Sequence, residues 1–276
     1  MSSAGTRSLK ENLNYVQVAI AAAVAKRPHK AKEKDPRLVA VSKFKPKELI
    51  IEAYNAGQRH FGENYVQELV AKATDIEIME LCKDIRWHFI GHLQKNKIKH
   101  VVVLPKLYLL ETVDSAQMAT SVNNSVNTIY ASQPDKKLNI MVQVNTSEEP
   151  EKSGISCSEV VDVVKHIHDT CPRLNFMGLM TIGEFGYDWS KGPNPDFLKL
   201  LVCRKNVCEA LQLEEVDVEL SMGMSDDYEK AIEMGSTNVR VGTAIFGARE
   251  PKKPATPAQP SQSTEAVTEK LKDLKT

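Results

Sequence analysis

The sequence predicts a single closed (β/α)8 barrel of the TIM class, with eight parallel strands separated by helices. Three observations predict it. Eight short apolar runs alternate with helical patterns, the first run is apolar enough to be buried on both faces, and polar residues stand at the ends of the runs. The length of 276 residues suits one such domain, because barrels of this class commonly have about 250 residues. An open doubly wound sheet is the alternative that the same alternation allows.

The strands and helices follow in order along the chain. The predicted strands are Arg37–Lys43, His60–Asn64, Arg86–Gly91, Leu107–Val113, Asn139–Asn145, Asn175–Thr181, Val216–Met222 and Asn238–Phe246. The predicted helices are Ser8–Lys26, Pro46–Ala56, Tyr65–Leu81, Lys95–Val102, Ser115–Val126, Ser158–Thr170, Pro195–Leu211 and Ser225–Met234. Residues that cap helices, such as Ser158 followed by Glu159, support several of these starts.

Composition limits the classes of function. The chain has 36 basic and 36 acidic side chains, so there is no electrostatic reason to expect binding to nucleic acid or to a membrane. No apolar run reaches the roughly 18 residues that a membrane span needs. The five cysteines are odd in number and lack CxxC spacing, which predicts reduced thiols in a reducing compartment. We therefore expect a cytoplasmic protein, with a mitochondrial fraction as the alternative.

The barrel is expected to occupy residues 8–250. Residues 1–7 are predicted to be a flexible N-terminus, and the polar tail at 251–276 is predicted to be disordered because its composition cannot build a core. A long loop at 184–194 follows the sixth strand and is either a cover over the site or a surface insertion. No apolar stripe demands a partner, so we expect a monomer.

Lys43 is the first candidate site residue. It follows the apolar run Leu38–Ser42. Side chains two residues apart in a strand share a face, so Lys43 would lie on the same face as Val39 and Val41, with its amine at the rim of the barrel interior. Poor solvation favours a neutral amine, and a neutral amine is a nucleophile for carbonyl groups, so Schiff-base chemistry is one interpretation. A strand-end lysine that extends into water is the other.

A second candidate is a phosphate site after strands seven and eight. Small residues in Ser221–Ser225 and at Gly242 and Thr243 would let backbone N–H groups approach phosphate oxygens, and hydroxyls could add donors. Asp226 and Asp227 would repel a phosphate on the axis of the next helix, which favours the turn and the Gly242–Thr243 amides. Glycines that serve only tight turns are the alternative.

Arg240 and two histidines complete the candidate residues. Arg240 alternates toward the barrel interior, where its permanent charge needs a fixed acceptor, either a protein carboxylate or a ligand atom. His88 and His92 lack the cysteines or acidic ligands of a recognisable metal motif. We therefore expect hydrogen-bonded histidines near the rim and no metal.

Six blocks of sequence resemble the pyridoxal phosphate homeostasis protein family. They begin at Ala40–Lys43 and Phe61–Glu68, continue at Trp87–Gln94 and Gly178–Gly183, and end at Leu220–Ser225 and Gly235–Gly247. The resemblance spans about residues 8–250, and the long loop and polar tail are similar to those of a eukaryotic member. It implies a barrel similar to the N-terminal domain of alanine racemase, the fold type III of enzymes that use pyridoxal 5′-phosphate (PLP).

The resemblance also implies roles for individual residues. Lys43 would form a Schiff base, the internal aldimine, with the PLP aldehyde, and Asn64 would lie near the phenolic oxygen of the ring. Ser221, Gly242 and Thr243 would hold the phosphate with help from the backbone at Met222. Arg240 would face the pyridine nitrogen. None of these residues is expected to be catalytic.

The implied function is PLP binding in intracellular vitamin B6 homeostasis, with PLP-dependent apo-enzymes as recipients and no strong catalytic activity. Many PLP enzymes place a carboxylate at the pyridine nitrogen so that the ring withdraws electrons, whereas a guanidinium disfavours the pyridinium form. The alternative is an amino-acid racemase, which would need a second acid–base residue from another domain. A third hypothesis is a barrel enzyme in which Lys43 attacks the carbonyl of a phosphorylated metabolite.

Overall fold

The eight strands close into one barrel in chain order. The computed structural model describes residues 7–28, 34–149 and 152–248. Every neighbouring pair of strands is parallel, and β8 pairs with β1 to complete the barrel. The predicted (β/α)8 barrel is therefore confirmed and the open sheet is excluded. The predicted flexible N-terminus, apart from Arg7, and the predicted disordered tail lie outside the described residues.

The elements have the following bounds. The strands are β1 (Arg37–Val41), β2 (His60–Glu63), β3 (Arg86–Phe89), β4 (Leu107–Val113), β5 (Leu138–Gln143), β6 (Leu174–Met180), β7 (Glu219–Ser221) and β8 (Asn238–Val241). The helices are α1 (Leu9–Ala25), α2 (Lys47–Asn55), α3 (Val66–Ala73), α4 (Ile76–Leu81), α5 (Ile98–Val102), α6 (Ala116–Ile129), α7 (Val160–Thr170), α8 (Pro195–Leu211), α9 (Tyr228–Glu233) and α10 (Thr243–Phe246). Short 3-10 helices lie at Lys95–Lys97, Trp189–Lys191 and Glu215–Asp217.

Three predicted elements are wrong in part. The predicted strand Val216–Met222 begins only at Glu219, because Glu215–Asp217 form a 3-10 helix in which the Asp217 amide donates to the Glu214 carbonyl. The predicted strand Asn238–Phe246 ends at Val241, because the amides of Ile245 and Phe246 both donate to the Gly242 carbonyl and begin α10. An apolar run of four residues is compatible with either a strand or a helix, so its composition could not decide this. The predicted helix Tyr65–Leu81 is two helices, because Asp75 accepts from the Ile78 amide and caps a new start.

The largest apolar core lies between the sheet and the surrounding helices. Phe61, Phe89 and Leu110 are fully buried within it. A separate apolar cluster of Leu109, Met141 and Met180 belongs to the other face of the sheet, the barrel interior. Buried polar residues, among them His88, Glu111, Asn238 and Arg240, also lie in that interior, which is unusual for a barrel core and directs attention to them.

All the strands are parallel, so their carboxyl ends lie at one rim of the barrel. Loops at this rim carry the functional residues of barrel proteins. Among the described residues, no helix combines the length and the apolar character needed to cross a bilayer.

Candidate functional site

Barrel closure brings the predicted site residues onto four adjacent strands. β1 pairs with β2 on one side and with β8 on the other, and β8 pairs with β7. The residues at or just beyond the ends of these strands are therefore neighbours around the rim. They are Ser221 and Met222 for β7, Arg240, Gly242 and Thr243 for β8, Lys43 for β1 and Asn64 for β2. These residues come from both ends of the barrel sequence, and they meet because the sheet closes.

Lys43 lies in a tight turn beyond β1. The amide of Lys45 donates to the Ser42 carbonyl at 3.0 Å, and Phe44 adopts a left-handed conformation with φ of 62°. Lys43 is partly exposed and lies two residues beyond Val41, the last residue of β1. Its position at the rim is the one that the sequence predicted.

Asn64 carries a buried acceptor without a partner. Within the described residues no hydrogen-bond donor reaches its Oδ1 atom. Buried polar atoms are normally bonded to protein groups or to water, so this oxygen is able to accept a hydrogen bond from water or from a ligand. The backbone of Asn64 is also tightly packed, because a Cβ added at Gly91 would lie 1.9 Å from the Asn64 carbonyl oxygen. Gly91 therefore permits the close approach of the two chain segments.

Arg240 is buried in the barrel interior, as predicted. Its Nη1 donates to Ser221 Oγ at 2.5 Å and its Nη2 donates to the Thr181 carbonyl at 2.8 Å. Burial lowers the pKa of Arg240, and the charges of Glu111 and Asp227 oppose that shift. The direct acceptors are thus a hydroxyl and a carbonyl, while carboxylates balance the charge from a greater distance.

Glu111 is the functional candidate that the sequence analysis missed. Its Oε2 accepts from Ser221 Oγ at 2.6 Å, its Oε1 lies 2.6 Å from His88 Nδ1, and Asn238 Nδ2 is 3.2 Å from both oxygens. Burial opposes its ionisation, but the His88 and Ser221 hydrogen bonds and the charge of Arg240 keep the pKa of Glu111 below its usual value. An acidic residue in the middle of an apolar strand was the available signal.

The two histidines do not form a pair. His88 is fully buried in the interior, below the predicted rim position, and its Nε2 lies 2.8 Å from His60 Nδ1. The pKa of His60 is lowered to about 2, mainly by burial and secondly by the nearby His88. Burial also lowers the pKa of His88. His92 is exposed beside Asp114. In residues 7–28, 34–149 and 152–248, no cluster of three or more His, Cys, Asp or Glu side chains could hold a metal ion.

The predicted phosphate residues lie at two depths. Ser221 and Met222 are fully buried, and the Ser221 hydroxyl is engaged with Glu111 and Arg240. Gly242 and Thr243 are accessible at the rim, where the Gly242 amide donates to Ser225 Oγ at 3.1 Å. Ser225 belonged to the predicted turn but not to the final set of phosphate ligands, and its place beside Gly242 makes it a further candidate.

The acidic residues after this turn behave differently from one another. Asp226 is exposed, whereas Asp227 Oδ1 accepts from the Met224 amide at 2.6 Å and tightens the turn. Burial raises the pKa of Asp227.

The long loop at 184–194 contacts the start of α8. The ring centroids of Trp189 and Phe197 lie 6.0 Å apart, and the Glu184 amide donates to Asp196.

Comparison with known proteins places the chain in a family. The model of the alanine racemase N-terminal domain matches residues 17–250. The pyridoxal phosphate homeostasis protein of Homo sapiens is 52% identical over 243 residues, which cover 88% of this chain and 87% of that protein. The chain belongs to the pyridoxal phosphate homeostasis protein family. The resemblance drawn from the six sequence blocks is therefore confirmed.

Solved structures agree with the family assignment. PipY of Synechococcus elongatus with PLP bound is 29% identical, with a TM-score of 0.68, and the match covers 87% of this chain and all of that one. An alanine racemase of Clostridium difficile has a TM-score of 0.61 at 14% identity and covers 87% of this chain and 57% of that one. The second match shows the fold alone, and it agrees with the predicted alanine racemase-like barrel.

Proposed function

We propose that this protein binds PLP as a Schiff base on Lys43 and acts in intracellular PLP homeostasis without strong catalytic activity. The observation that carries the proposal is the convergence of a lysine, an unpartnered buried amide oxygen and an accessible small-residue turn on one arc of the rim. Family membership and the PLP-bound relative PipY support the same ligand.

The residues fit the parts of PLP. The Lys43 amine would add to the aldehyde carbon and water would leave, which converts C=O to C=N without any oxidant. Thr243 and Ser225 offer hydroxyl donors to the phosphate, and the Gly242 amide, which donates to Ser225 Oγ, would be shared with or transferred to it. Asn64 Oδ1 is an open acceptor for a hydroxyl group of the ring. Ser221 and Met222 lie immediately beneath this turn, so their proposed phosphate role would act from below the rim.

Arg240 supports a carrier over an enzyme. PLP supplies an electron-withdrawing ring to catalysis when its nitrogen is protonated. A guanidinium whose charge is balanced by Glu111 would donate to that nitrogen and disfavour its protonation. The proposal therefore includes weak catalysis. From the sequence analysis it also includes a cytoplasmic location, a monomeric state, and PLP-dependent apo-enzymes as recipients of the cofactor.

Amino-acid racemisation is the second candidate, and the match to the alanine racemase N-terminal domain favours it. A racemase would exchange the α-proton of an amino acid with solvent. Loss of deuterium from an α-labelled amino acid at an enzymatic rate, abolished in Lys43→Ala, would support this candidate against the carrier.

The first test is the visible spectrum of the purified protein with added PLP, before and after borohydride reduction. We expect a yellow Schiff-base band in the wild type, its loss in Lys43→Ala, and a reduced phosphopyridoxyl group on the peptide that contains Lys43. A wild-type protein that remains colourless with PLP would contradict the proposal and favour a phosphorylated metabolite as the ligand.

A further inference from the structure

A polar cluster lies on the outer side of the barrel wall, directly behind Lys43. Ser42 follows β1 and Glu63 ends β2, and both face α3 across the outer surface of the sheet. Lys72, on α3, reaches this outer face and contacts both Ser42 and Glu63. The cluster consists of Ser42, Glu63, Glu68 and Lys72, and we call it the outer clamp.

Lys72 is the centre of the outer clamp. Its Nζ donates to the Ser42 carbonyl at 2.8 Å, to Glu63 Oε1 at 2.7 Å and to Glu68 Oε1 at 2.8 Å. An ammonium has three donors, so these contacts use all of them. Ser42 Oγ adds a 2.6 Å hydrogen bond to the same Glu63 oxygen.

The outer clamp holds both neighbours of Lys43. Ser42 is held through its carbonyl and its hydroxyl, and the Phe44 amide donates to Glu68 Oε1 at 2.5 Å. Phe44 has a left-handed backbone with φ of 62°, a conformation that is unfavourable for a residue with a Cβ atom. Such a conformation persists only where its surroundings determine it, and here a carboxylate and an ammonium determine it.

Stability alone does not explain the buried ionisable side chains of the outer clamp. The side chain of Lys72 is 9% exposed and that of Glu63 is fully buried, between a sheet and a helix that otherwise pack through apolar residues. Removing charges from water is costly, and apolar residues at such positions are often equally stable or more stable. What apolar residues could not do is bind the Ser42 carbonyl and, through Glu68, the Phe44 amide.

We propose that Lys72 is a positioning residue which, with Glu63 and Glu68, fixes the turn at Ser42–Phe44 and thereby sets the direction in which Lys43 presents its amine. The inference rests on the proposed function, because it assigns the outer clamp a role in forming the Schiff base. Lys72 itself lies outside the barrel and takes no part in the chemistry.

The test compares Lys72→Met with Lys72→Arg, which keeps a cation in place. The matched control is Lys106→Met, because Lys106 Nζ also donates to a backbone carbonyl, that of Cys82, but lies at the opposite end of the barrel. Each protein is mixed with PLP, and the rate of Schiff-base formation is followed by stopped-flow absorbance. Attachment to Lys43 is then checked by borohydride reduction and peptide mapping.

We expect Lys72→Met to slow Schiff-base formation about tenfold or more, a change of about 1.4 kcal/mol in the barrier. Lys72→Arg should recover most of the rate, and Lys106→Met should stay within about twofold of the wild type, as expected for a change far from the reacting amine. A folded Lys72→Met protein with the wild-type rate would overturn the inference. If Lys72→Met does not fold, Glu68→Ala carries the same expectation, because it removes the acceptor of the Phe44 amide.

A second measurement separates this inference from the proposed function. Acetic anhydride labels amines without PLP, and peptide mass spectrometry gives the labelling rate of Lys43 relative to that of Lys45 in the same molecules. Loss of the outer clamp should change this ratio at least threefold in Lys72→Met. An unchanged ratio would overturn the role of Lys72. A changed ratio in a protein that never forms a Schiff base would overturn the proposed function alone.

Discussion

The Ser221 hydroxyl donates to Glu111 Oε2 at 2.6 Å, which joins two residues that lie 110 positions apart in the chain. The same hydroxyl accepts from Arg240 Nη1, so the carboxylate and the guanidinium are connected through one oxygen atom. This three-residue link balances a buried cation. It also explains how Arg240 can remain charged in an interior where an unpaired charge would be costly.

Replacing Glu111 by Gln should strongly destabilise the fold. The change removes the larger of the two carboxylate charges that balance buried Arg240, and removal of one partner from a buried ionic cluster typically costs about 3–5 kcal/mol. The free energy of unfolding in urea measures this. Glu209→Gln is the control, because the Lys205–Glu209 pair is exposed, and it should cost less than about 1 kcal/mol. Equal losses in the two variants would contradict the role given to Glu111.

Ser225→Ala should weaken binding of PLP but not of pyridoxal, which lacks the phosphate. One hydrogen bond contributes about 0.5–1.5 kcal/mol, so the expected loss for PLP is roughly twofold to tenfold. Ser221→Ala should affect both ligands alike if its hydroxyl acts through Arg240. A loss confined to PLP in Ser221→Ala would support the phosphate contact that the family resemblance implies. Equilibrium titration by absorbance distinguishes these outcomes.

Gly91→Ala should disturb Asn64 and lower PLP affinity. The added Cβ would lie 1.9 Å from the Asn64 carbonyl oxygen, so one of the two chain segments must move. Overpacking of this kind commonly costs about 1–3 kcal/mol of stability. Gly183→Ala is the control, since its nearest contact would be 3.3 Å, with side-chain atoms of Asp196 and Phe197. Wild-type PLP affinity in Gly91→Ala would show that Asn64 need not keep this position.

Glu63 should make stability depend on pH. Burial raises the pKa of Glu63 to about 7, although Lys72 opposes the shift. The folded state therefore binds a proton more tightly than the unfolded state, whose carboxyl titrates near 4.3. The contribution is fully present below about pH 4 and is lost as pH rises toward 7. Its size is at most about 3–4 kcal/mol.

The Glu63→Gln variant isolates this contribution. Its free energy of unfolding should fall less than that of the wild type between pH 5 and pH 7.5, because an amide does not titrate. All other ionisable groups are the same in both proteins, so their contributions cancel in the difference. Parallel pH profiles for the two proteins would refute the proposed proton uptake at Glu63.

Much of the architecture was predictable because it depends on local sequence. The alternation of apolar and polar residues located β4 at Leu107–Val113 and α8 at Pro195–Leu211 with the bounds that the structure has. The same alternation placed Arg240 in the barrel interior and Lys43 at the rim, where the structure has them. It failed at Thr243–Phe246, because a short apolar run after glycine fits both the two-residue repeat of a strand and the 3.6-residue repeat of a helix. Tertiary contacts must then decide between strand and helix.

The sequence by itself determined the fold class, the family, and the rim on which the candidate site lies. These follow from periodicity and from motifs that are contiguous in the chain. Only the tertiary structure decided the partners: Glu111 for Ser221, Lys72 for the turn at Lys43, and the unpartnered oxygen of Asn64. Hydrogen bonds act over about 3 Å, so they depend on strand register and on barrel closure, which bring together residues that no local pattern connects.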